Sequence, residues 1–495
     1  MAPQEDLLSL GEATAMLGIS KPTMYRLLEQ GKVKGTKVGN QWRFRRDELA
    51  AYLDRGPAAV ALSAVPLAAL EGELAFFTGA LAALGRAPAP EPALDDPAER
   101  KSAALVAAIL HLAAARGASD IHLDIFKEDN ALVHLLRYRI DGVLQEVRRV
   151  APRVFHAILL RLKALAGLEV FTRDGRIALE FDGTPLDIRA TLIPALYGET
   201  VSLRLLASAA TCHLGLDNRG LAEDTLARLR RWLEQSSGLI LCTGPAGSGK
   251  TTILYEAVLA LAGPSRAVYS MENPIELQLP WVTQVSITNR DGATYANALR
   301  ALMRSDPDVV MIGELQNLET IELGLCIART GHLVLSQAYS TYASFVPSYL
   351  VSVFPEVRWR EISYIAADVL IGITCQRLMR TLCPDCRQSR PLSRAVLADL
   401  QRQAEHGGYR IPEGATFYTA AGCPACGGTG YRGRTLAFEM LEFVPAVKKA
   451  YLAGVTPDEL QAVAVGQGMR TLYADAIRLA AEGETTLEEV ARLLG

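Results

Sequence analysis

Residues 237–255 read SGLILCTGPAGSGKTTILY, an apolar run that enters a glycine-rich turn and leaves it in a run of helix-forming residues. The turn at 244–251 has the pattern Gly-x-x-x-x-Gly-Lys-Thr. Glycines let backbone amides curl around phosphate oxygens at the start of a helix, where the helix dipole favours negative charge. The stretch therefore predicts a strand, a phosphate-binding loop and a helix in an α/β core.

The residue types in this loop suit the binding of a nucleoside triphosphate. Lys250 neutralises the β- and γ-phosphate oxygens, and the Thr251 hydroxyl is a ligand for Mg2+. The alternative is a loop that keeps its glycines but has lost its ligand. We predict that ATP and Mg2+ bind here, through Gly244, Pro245, Ala246, Gly247, Ser248, Gly249, Lys250, Thr251 and Thr252.

Two acidic residues follow apolar strands further along the chain. Residues 308–314 read DVVMIGE, an apolar strand that ends at Glu314, as expected of a buried parallel strand beside the phosphate loop. Residues 271–276 read MENPIE, and Glu272 is placed to orient or deprotonate the attacking water. Isolated acids are more often surface residues, but the order of these two along the chain favours a catalytic role.

Four of the eight cysteines form two pairs with metal-ligand spacing. Cys383 and Cys386 form the first Cys-x-x-Cys pair, Cys423 and Cys426 form the second, and 36 residues (423 − 386 − 1) lie between them. Four thiolates close a tetrahedron around one ion, which suits structural Zn2+. The alternative is four reduced thiols that hold no metal.

The first 56 residues predict a separate winged helix-turn-helix domain. Ser9 and Glu12 form a capping box at the start of one helix, and a second helix is predicted at 20–31. A strand hairpin turns at 39–40, and a further helix is predicted at 47–53. This order resembles the helix-turn-helix domains of the MerR and excisionase-like families.

The charge of this domain favours a polyanionic partner. Residues 20–46 hold eight basic residues and one acid, which gives a local charge of +7, whereas the whole chain has a net charge of −3. Phosphate contacts need clustered Lys and Arg, so we predict DNA binding through residues 1–56. The alternative is a protein-docking domain with a solvated basic face.

The composition of the chain is that of a globular protein, with 50% hydrophobic and 21% charged residues. The longest apolar candidate for a membrane span, residues 58–83, is interrupted by Pro66, Glu71 and Glu73. No transmembrane helix is therefore predicted. The amino terminus lacks the basic segment of a secretory signal, so we expect a cytoplasmic protein.

The order of motifs resembles the ATPases of type II secretion and type IV pilus assembly over about residues 100–495. The nucleotide-binding half carries GPAGSGKTT, ENPIE, LRALMRSDPDVVMIGEL, TGHLVLS, CQRLMRTLCPDC and CPACGGTGYRGR. The preceding half carries ASDIHLD, LRYRIDGVL, RLKALAGLEV, RDGRI and LDIRATLIPALYGETVSLRLL. The resemblance implies a homohexamer that binds nucleotide between two domains and acts on an inner-membrane platform protein.

The resemblance also implies roles for residues outside the phosphate loop. By motif matching, arginines of the preceding domain complete the site, and His332 belongs to a catalytic histidine box. The matched arginines are Arg176, Arg189, Arg204 and Arg139.

Three departures from the family pattern remove charge or a titratable group near the phosphates. Tyr339 stands at the second histidine of the histidine box, Asn273 replaces a carboxylate, and residues 313–317 read GELQN instead of GEIRD. Nucleotide binding is expected to survive these changes, and the chain is expected to be an ATPase whose turnover the altered boxes impair. The sequence thus leaves two readings: an ATP-hydrolysing motor, and a DNA-binding regulator or nucleotide-sensing pseudoenzyme.

The expected fold is α/β, a RecA-like P-loop core with added domains. The predicted order is the helix-turn-helix domain (1–56), an Ala- and Pro-rich linker (57–99), an α+β domain (100–206), the P-loop core (207–380), the tetracysteine zinc module (381–432) and a C-terminal helical region (433–495). Within the linker, the Ala- and Leu-rich residues 57–85 are expected to be helical.

Overall fold

The structure is a computed structural model that describes residues 7–17, 24–25, 28, 33, 35–38, 41–45, 65–168, 174–206, 215–218, 220–288 and 294–494. The chain divides into two compact units, residues 1–206 and residues 207–495. No helix within these ranges is both long and apolar enough to cross a bilayer.

The amino-terminal residues form a small sheet and one described helix. The elements are β1 (Leu7–Ser9), α1 (Leu10–Leu17), β2 (Thr36–Val38) and β3 (Gln41–Arg45), with antiparallel strand order β1-β3-β2. The predicted capping box is confirmed, since Ser9 N–H donates to Glu12 Oε2 at 2.8 Å and Glu12 N–H donates to Ser9 Oγ at 3.3 Å. The predicted helix at 47–53 lies outside the described residues.

A six-stranded antiparallel sheet and three helices make up the remaining described residues of the first unit. The elements are α2 (Leu67–Ala83), α3 (Pro97–Ala115), β4 (Ala118–Glu128), β5 (Ala131–Ile140), β6 (Val143–Arg149), α4 (Pro152–Ala166), β7 (Asp174–Phe181), β8 (Thr184–Ala195) and β9 (Gly198–Leu206). The strand order is β6-β5-β4-β9-β8-β7. Side chains alternate along each strand, so one face joins a core with the helices and the other face is polar.

Residues 67–83 lie within the predicted linker at 57–99 and are helical, as expected for its Ala- and Leu-rich part. They form α2, which packs on α3, and Leu70, Phe77 and Leu81 are fully buried in the core of the α+β domain. The Ala- and Leu-rich composition of this segment covers apolar surface that the neighbouring elements would otherwise expose. The predicted linker therefore contributes a structural helix to the domain that follows it.

The second unit is a seven-stranded sheet flanked by helices. Its elements up to the last parallel strand are α5 (Glu223–Leu233), β10 (Gly238–Thr243), α6 (Lys250–Leu261), β11 (Val268–Glu272), β12 (Thr283–Ser286), α7 (Tyr295–Leu302), β13 (Val309–Ile312), α8 (Leu318–Arg329), β14 (Leu333–Ala338), α9 (Val346–Ser352), α10 (Glu356–Val369) and β15 (Leu370–Leu382). The strand order is β12-β11-β13-β14-β10-β15, all parallel, with one further antiparallel strand beside β15. The predicted α/β core is confirmed.

The cysteine module and the C-terminal helices are built onto this sheet. The remaining elements are β16 (Gln388–Arg390), α11 (Arg394–His406), β17 (Phe417–Thr419), β18 (Tyr431–Glu442), α12 (Pro445–Leu452), α13 (Pro457–Gly466), α14 (Leu472–Ala481) and α15 (Leu487–Leu494). The strands β15 and β18 pair along most of their length and cross the predicted limits at 380/381 and 432/433. The module is therefore an excursion between two paired strands of the core sheet.

Replacement of Leu81 tests whether α2 belongs to the core of the first unit. Leu81 is fully buried, whereas Leu84, just beyond the same helix, is 47% exposed. We expect Leu81→Ala to lower the free energy of unfolding of this unit by about 2–5 kcal/mol, because it leaves a cavity in a packed core. Leu84→Ala is expected to change it by about 0.5 kcal/mol or less.

Hydrogen exchange of the β4 and β5 amides at increasing urea concentration reports on this unit within the full chain. Equal effects of the two substitutions would contradict the assignment of α2 to the core.

Candidate functional site

The predicted nucleotide-site segments of the second unit meet at one edge of its sheet. Parallel strands end at a common edge, where α/β proteins bind their ligands. The last residues of β10 and β14, Thr243 and Ala338, pair directly, and so do Ile312 of β13 and Ser336 of β14. The phosphate loop, the Glu314 turn and the residues after β14 therefore all start from this edge.

The predicted strand, loop and helix are confirmed at residues 238–261. The loop leaves the fully buried β10 at Gly244, and α6 begins at Lys250. Gly249, the N-cap of α6, has a left-handed φ of 87°. A Cβ atom on Gly244 would lie 2.4 Å from Ser248 Oγ and 2.7 Å from the Gln376 carbonyl oxygen, so only glycine fits there.

The ammonium group of Lys250 is held within the loop. Its Nζ donates to the carbonyl oxygens of Gly244 at 3.0 Å and Pro245 at 2.8 Å, and it lies 4.2 Å from the centroid of the Tyr339 ring. Burial lowers the pKa of Lys250, and the negative charge of Glu314 opposes this shift. The two carbonyls and the ring face together satisfy three ammonium protons, so phosphate oxygens must compete with these contacts.

Glu314 has an uncompensated oxygen close to this lysine. Its Oε1 is buried and has no hydrogen-bond partner within the described part of the chain. Burial raises the pKa of Glu314, whereas the hydrogen bond from Gln316 and the charge of Lys250 lower it. Thr251 Oγ1 makes only a long hydrogen bond, 3.4 Å, to Gln337 Oε1. One carboxylate oxygen and one hydroxyl are thus available to a hydrated Mg2+.

Glu272 is locked in a buried network at the end of β11. Its carboxylate accepts hydrogen bonds from the Tyr255 hydroxyl, from Ser270 Oγ at 2.6 Å and from Gln284 Nε2 at 2.9 Å. Burial raises the pKa of Tyr255, and its hydrogen bond to Glu272 acts in the same direction, so this tyrosine stays a donor. The network fixes the orientation of Glu272, whose predicted part in placing water stays a prediction.

His332 lies at the other end of the sheet. Its carbonyl oxygen accepts from Gly238 N–H, at the first residue of β10, and the next residue, Leu333, pairs with Gly238. The six residues of β10 separate this edge from the phosphate loop, a length of about 20 Å at the usual rise per residue. His332 Nδ1 instead contacts the Ile327 carbonyl and Thr330 Oγ1, both at 3.2 Å. Within its own chain His332 therefore lies apart from the phosphate loop, and its part in a catalytic histidine box stays a prediction.

The four matched arginines form a single row across the sheet of the first unit. Cross-strand pairs join Arg176 to Arg189, Arg189 to Arg204, Arg204 to Asp120, and Asp120 to Arg139. Their neighbours along the strands are buried in the helix-covered core, which places the row on the polar face; these neighbours include Ile177, Ile188, Leu203 and Ile121.

The row carries more positive than negative charge. Asp120 compensates two of the arginines, at 3.0 Å from Arg204 and 3.6 Å from Arg139. Arg176 pairs with Asp187, and this ion pair and its hydrogen bonds raise the pKa of the guanidinium. Arg189 is exposed and has no ion pair within the described residues. The row is therefore suited to bind an anion.

Some contacts of the site cannot be predicted from the sequence. Tyr339 appears in the sequence only as a departure from the family pattern, and its contact with Lys250 depends on how β14 and β10 pair. Gln376 Nε2 donates to the Ser248 carbonyl at 3.2 Å, although residue 376 lies more than 120 positions from the loop. No local pattern reports such a long-range contact.

The four predicted metal ligands come together in the second unit. Their sulfur atoms all lie within 4.8 Å of one another. Cys383 and Cys423 are 3.8 Å apart, Cys386 and Cys426 are 3.9 Å apart, and Cys423 and Cys426 are 3.8 Å apart. A tetrahedral zinc with sulfur ligands at about 2.3 Å has sulfur–sulfur edges of about 3.8 Å. The donor set and its geometry fit Zn2+.

Backbone amides prepare one of these sulfurs as a thiolate. Cys426 Sγ accepts from the N–H groups of Cys423 and Gly430, both at 3.1 Å. Desolvation alone would raise the pKa of this thiol, but hydrogen bonds to its sulfur lower the pKa of Cys426 to about 6. Metal binding needs deprotonated thiols, so this environment favours it.

The chain is similar to known secretion system proteins over most of its length. The family model described as type II/IV secretion system protein matches residues 97–492, and a helix-turn-helix domain model matches residues 7–57. The chain is 37% identical over 395 residues to the type II secretion system protein HxcR of Pseudomonas aeruginosa, covering 79% of this chain and 76% of that protein.

Two further comparisons concern ATPases. The chain is 36% identical over 392 residues to the type IV pilus assembly ATPase PilB of Myxococcus xanthus, covering 78% of this chain and 66% of that protein. The solved structure of the Legionella pneumophila ATPase DotB matches with a TM-score of 0.56 at 18% identity, over 78% of this chain and 94% of that one. The latter similarity is one of fold.

Removal of one sulfur tests the metal site. We expect about one zinc ion per chain in the purified protein and strongly reduced zinc in Cys386→Ser, because three thiolates do not close the tetrahedron. Cys326→Ser is the matched control, since this cysteine is exposed on α8. Elemental mass spectrometry measures bound zinc, and equal metal content in the two variants would contradict the site.

Proposed function

Because the chain belongs to the type II/IV secretion system protein family of ATPases, we propose that it binds and hydrolyses ATP as the motor of a type II secretion or type IV pilus-like system. The observation that carries this proposal is the phosphate loop at the sheet edge, where the buried Lys250 ammonium interacts with the charge of Glu314, whose Oε1 has no hydrogen-bond partner among the described residues.

The loop residues have distinct tasks in this proposal. The amides of residues 244–251 cradle the phosphates, and Lys250 exchanges its carbonyl and ring contacts for β- and γ-phosphate oxygens. Thr251 and Glu314 would hold Mg2+, which would neutralise charge on the transferred phosphoryl group. Glu272, fixed by its three donors, orients the attacking water. Zn2+ at the four cysteines has a structural role, since no ligand position stays open.

The arginine row supplies further positive charge. Arg176, Arg189, Arg204 and Arg139 stand in one line with a single acid among them, and Arg189 is available to an anion. Phosphoryl transfer depends mainly on positioning and charge neutralisation. We infer that this row binds phosphate oxygens in the assembled protein. We also infer a homohexamer on the cytoplasmic side of the inner membrane, acting on a platform protein, as the family resemblance implies.

A second candidate function is that of a DNA-binding regulator or nucleotide sensor. Two observations favour it: the helix-turn-helix match at residues 7–57, and the replacement of family residues by Tyr339 and Asn273. In this alternative the nucleotide is bound but not turned over. The two functions differ in whether phosphate is released.

Replacement of Lys250 tests the motor. We expect phosphate release from ATP and Mg2+ by the full chain and a loss of about 100-fold or more in Lys250→Ala, because the charge that neutralises the phosphates is removed. Lys449→Ala, at an exposed position on α12, is the control and should keep the rate.

Calorimetric titration with ADP and ATP accompanies this assay. Binding without phosphate release above the Lys250→Ala level would refute the motor and favour the sensor. Absence of binding to folded, zinc-loaded protein would refute both functions.

Deletion of residues 1–56 tests the amino-terminal domain. The shortened chain keeps α2, which belongs to the core of the first unit. We expect the full chain to bind duplex DNA with an affinity that falls with salt, at a logarithmic slope of about −0.9 per phosphate contact, and residues 57–495 to lose this binding. Fluorescence anisotropy at several salt concentrations measures it. An unchanged isotherm would assign the domain to protein docking.

A further inference from the structure

The segment after β14 connects the phosphate loop to the strands β15 and β18. Residues 339–343 lead from β14 into a short 3-10 helix, Ala343–Phe345. At the start of the segment the Tyr339 ring lies 4.2 Å from Lys250 Nζ. At its end the Ala343 N–H donates to Glu439 Oε1 at 2.8 Å.

The same segment is held once more between these two points. Cys375 of β15 donates its thiol proton to the Thr341 carbonyl oxygen at 3.2 Å. Cys375 pairs directly with Glu439 of β18, so both anchors stand side by side on one face of the sheet. Residues 341–343 are therefore attached to β15 and β18, and Tyr339 is only two residues from the first anchor.

Glu439 has a second partner, at the start of a C-terminal helix. Its Oε2 accepts from the N–H of Leu472, the first residue of α14, at 2.8 Å. The first amides of a helix have no intrahelical acceptor, so a carboxylate there is favourable. Burial raises the pKa of Glu439, and the amides of Ala343 and Leu472 and the charge of Arg377 oppose this shift. Each oxygen of this fully buried carboxylate thus holds a different segment.

These contacts form a continuous path of four steps. Lys250 touches Tyr339, the segment leads to Ala343, Ala343 is bonded to Glu439, and Glu439 is bonded to Leu472. Phosphate oxygens compete with the Tyr339 ring for the ammonium group, since that group has only three protons. When Tyr339 is displaced, the backbone of the segment changes its geometry up to the anchors at Thr341 and Ala343.

We propose that Glu439 is a positioning residue of the nucleotide site, which holds the segment 339–343 next to the first turn of α14. When nucleotide binds at Lys250, the hydrogen bonding of the first turn of α14 changes. This inference rests on the nucleotide binding proposed above. The C-terminal helix α14 is thereby connected to the phosphate loop through Glu439 and the segment 339–343. Tyr339 is the residue of this segment that the phosphates displace from Lys250.

A role limited to stability would have a different signature. The helix α14 is also tied to β18 by Asp475, whose Oδ2 accepts from the Phe438 N–H at 3.0 Å. This second bond keeps α14 docked when Glu439 is changed. A purely structural Glu439 would lower the melting temperature but leave the response of α14 to nucleotide intact.

Hydrogen exchange of the full chain with and without ADP and Mg2+ tests the link. In the wild type we expect ADP to change exchange in the peptide that contains Leu472. In Glu439→Gln and in Tyr339→Ala we expect ADP to bind but this change to be lost. Glu442→Gln is the matched control, because Glu442 lies on the same strand, is half-buried and lies 4.0 Å from Arg228.

Kinetics give an independent readout. We expect Glu439→Gln to lower kcat for ATP hydrolysis about tenfold and to leave KM within about twofold, since the loop itself is intact. The double variant with Tyr339→Ala should be no slower than the slower single variant, because both changes break one path. Should Glu439→Gln fail to fold, Cys375→Ala removes the neighbouring anchor and replaces it in both measurements.

The outcomes separate this inference from the proposed function. The link would be overturned if ADP left hydrogen exchange at the start of α14 unchanged in the wild type, or if this exchange still responded to ADP in folded Glu439→Gln. The ATPase proposal would stand in both cases. Failure of the wild type to bind ADP would overturn both.

Discussion

The compensation of one buried cation organises the nucleotide site. A buried ammonium group must be paired or hydrogen-bonded, because its desolvation is otherwise costly. Lys250 meets this demand with two carbonyls of its own loop, the face of Tyr339 and the nearby charge of Glu314. The backbone of the loop, the segment after β14 and the turn after β13 are therefore all arranged around the same charge. Phosphate oxygens can replace the two carbonyls and the ring face as partners of the ammonium group.

The first unit presents a complementary form of the same chemistry. One face of its sheet packs in the core, and the other face is polar. Four arginines lie in one row with Asp120 on this polar face. Guanidinium groups remain charged at any relevant pH and match phosphate oxygens in geometry. Both units thus offer positive charge to an anion, one through a buried lysine and the other through an exposed row.

The C-terminal part of the second unit is connected by hydrogen bonds to the surroundings of the phosphate loop. The four cysteines lie in the excursion that joins one end of β15 to one end of β18, and the Cys375–Glu439 pair lies near the middle of these strands. The buried carboxylate of Glu439 joins a segment next to the phosphate loop to the first turn of α14. Buried polar groups of this kind hold elements in one arrangement because each lost bond leaves an unsatisfied group in the core. A change at the loop is thereby connected to residues far along the chain.

The sequence by itself determined the strand–loop–helix at residues 238–261, the ligands of the cysteine cluster and the capping box at Ser9, because short-range spacing and residue chemistry specify them. The arginines were found by motif matching, but only strand register showed that they stand in one row. Tertiary structure alone placed His332 about 20 Å from the loop, packed residues 67–83 into a core and set Tyr339 on Lys250. The physical reason is that these relations depend on which strands pair and which faces meet. The packing of the whole sheet determines such pairings, so the local sequence does not predict them.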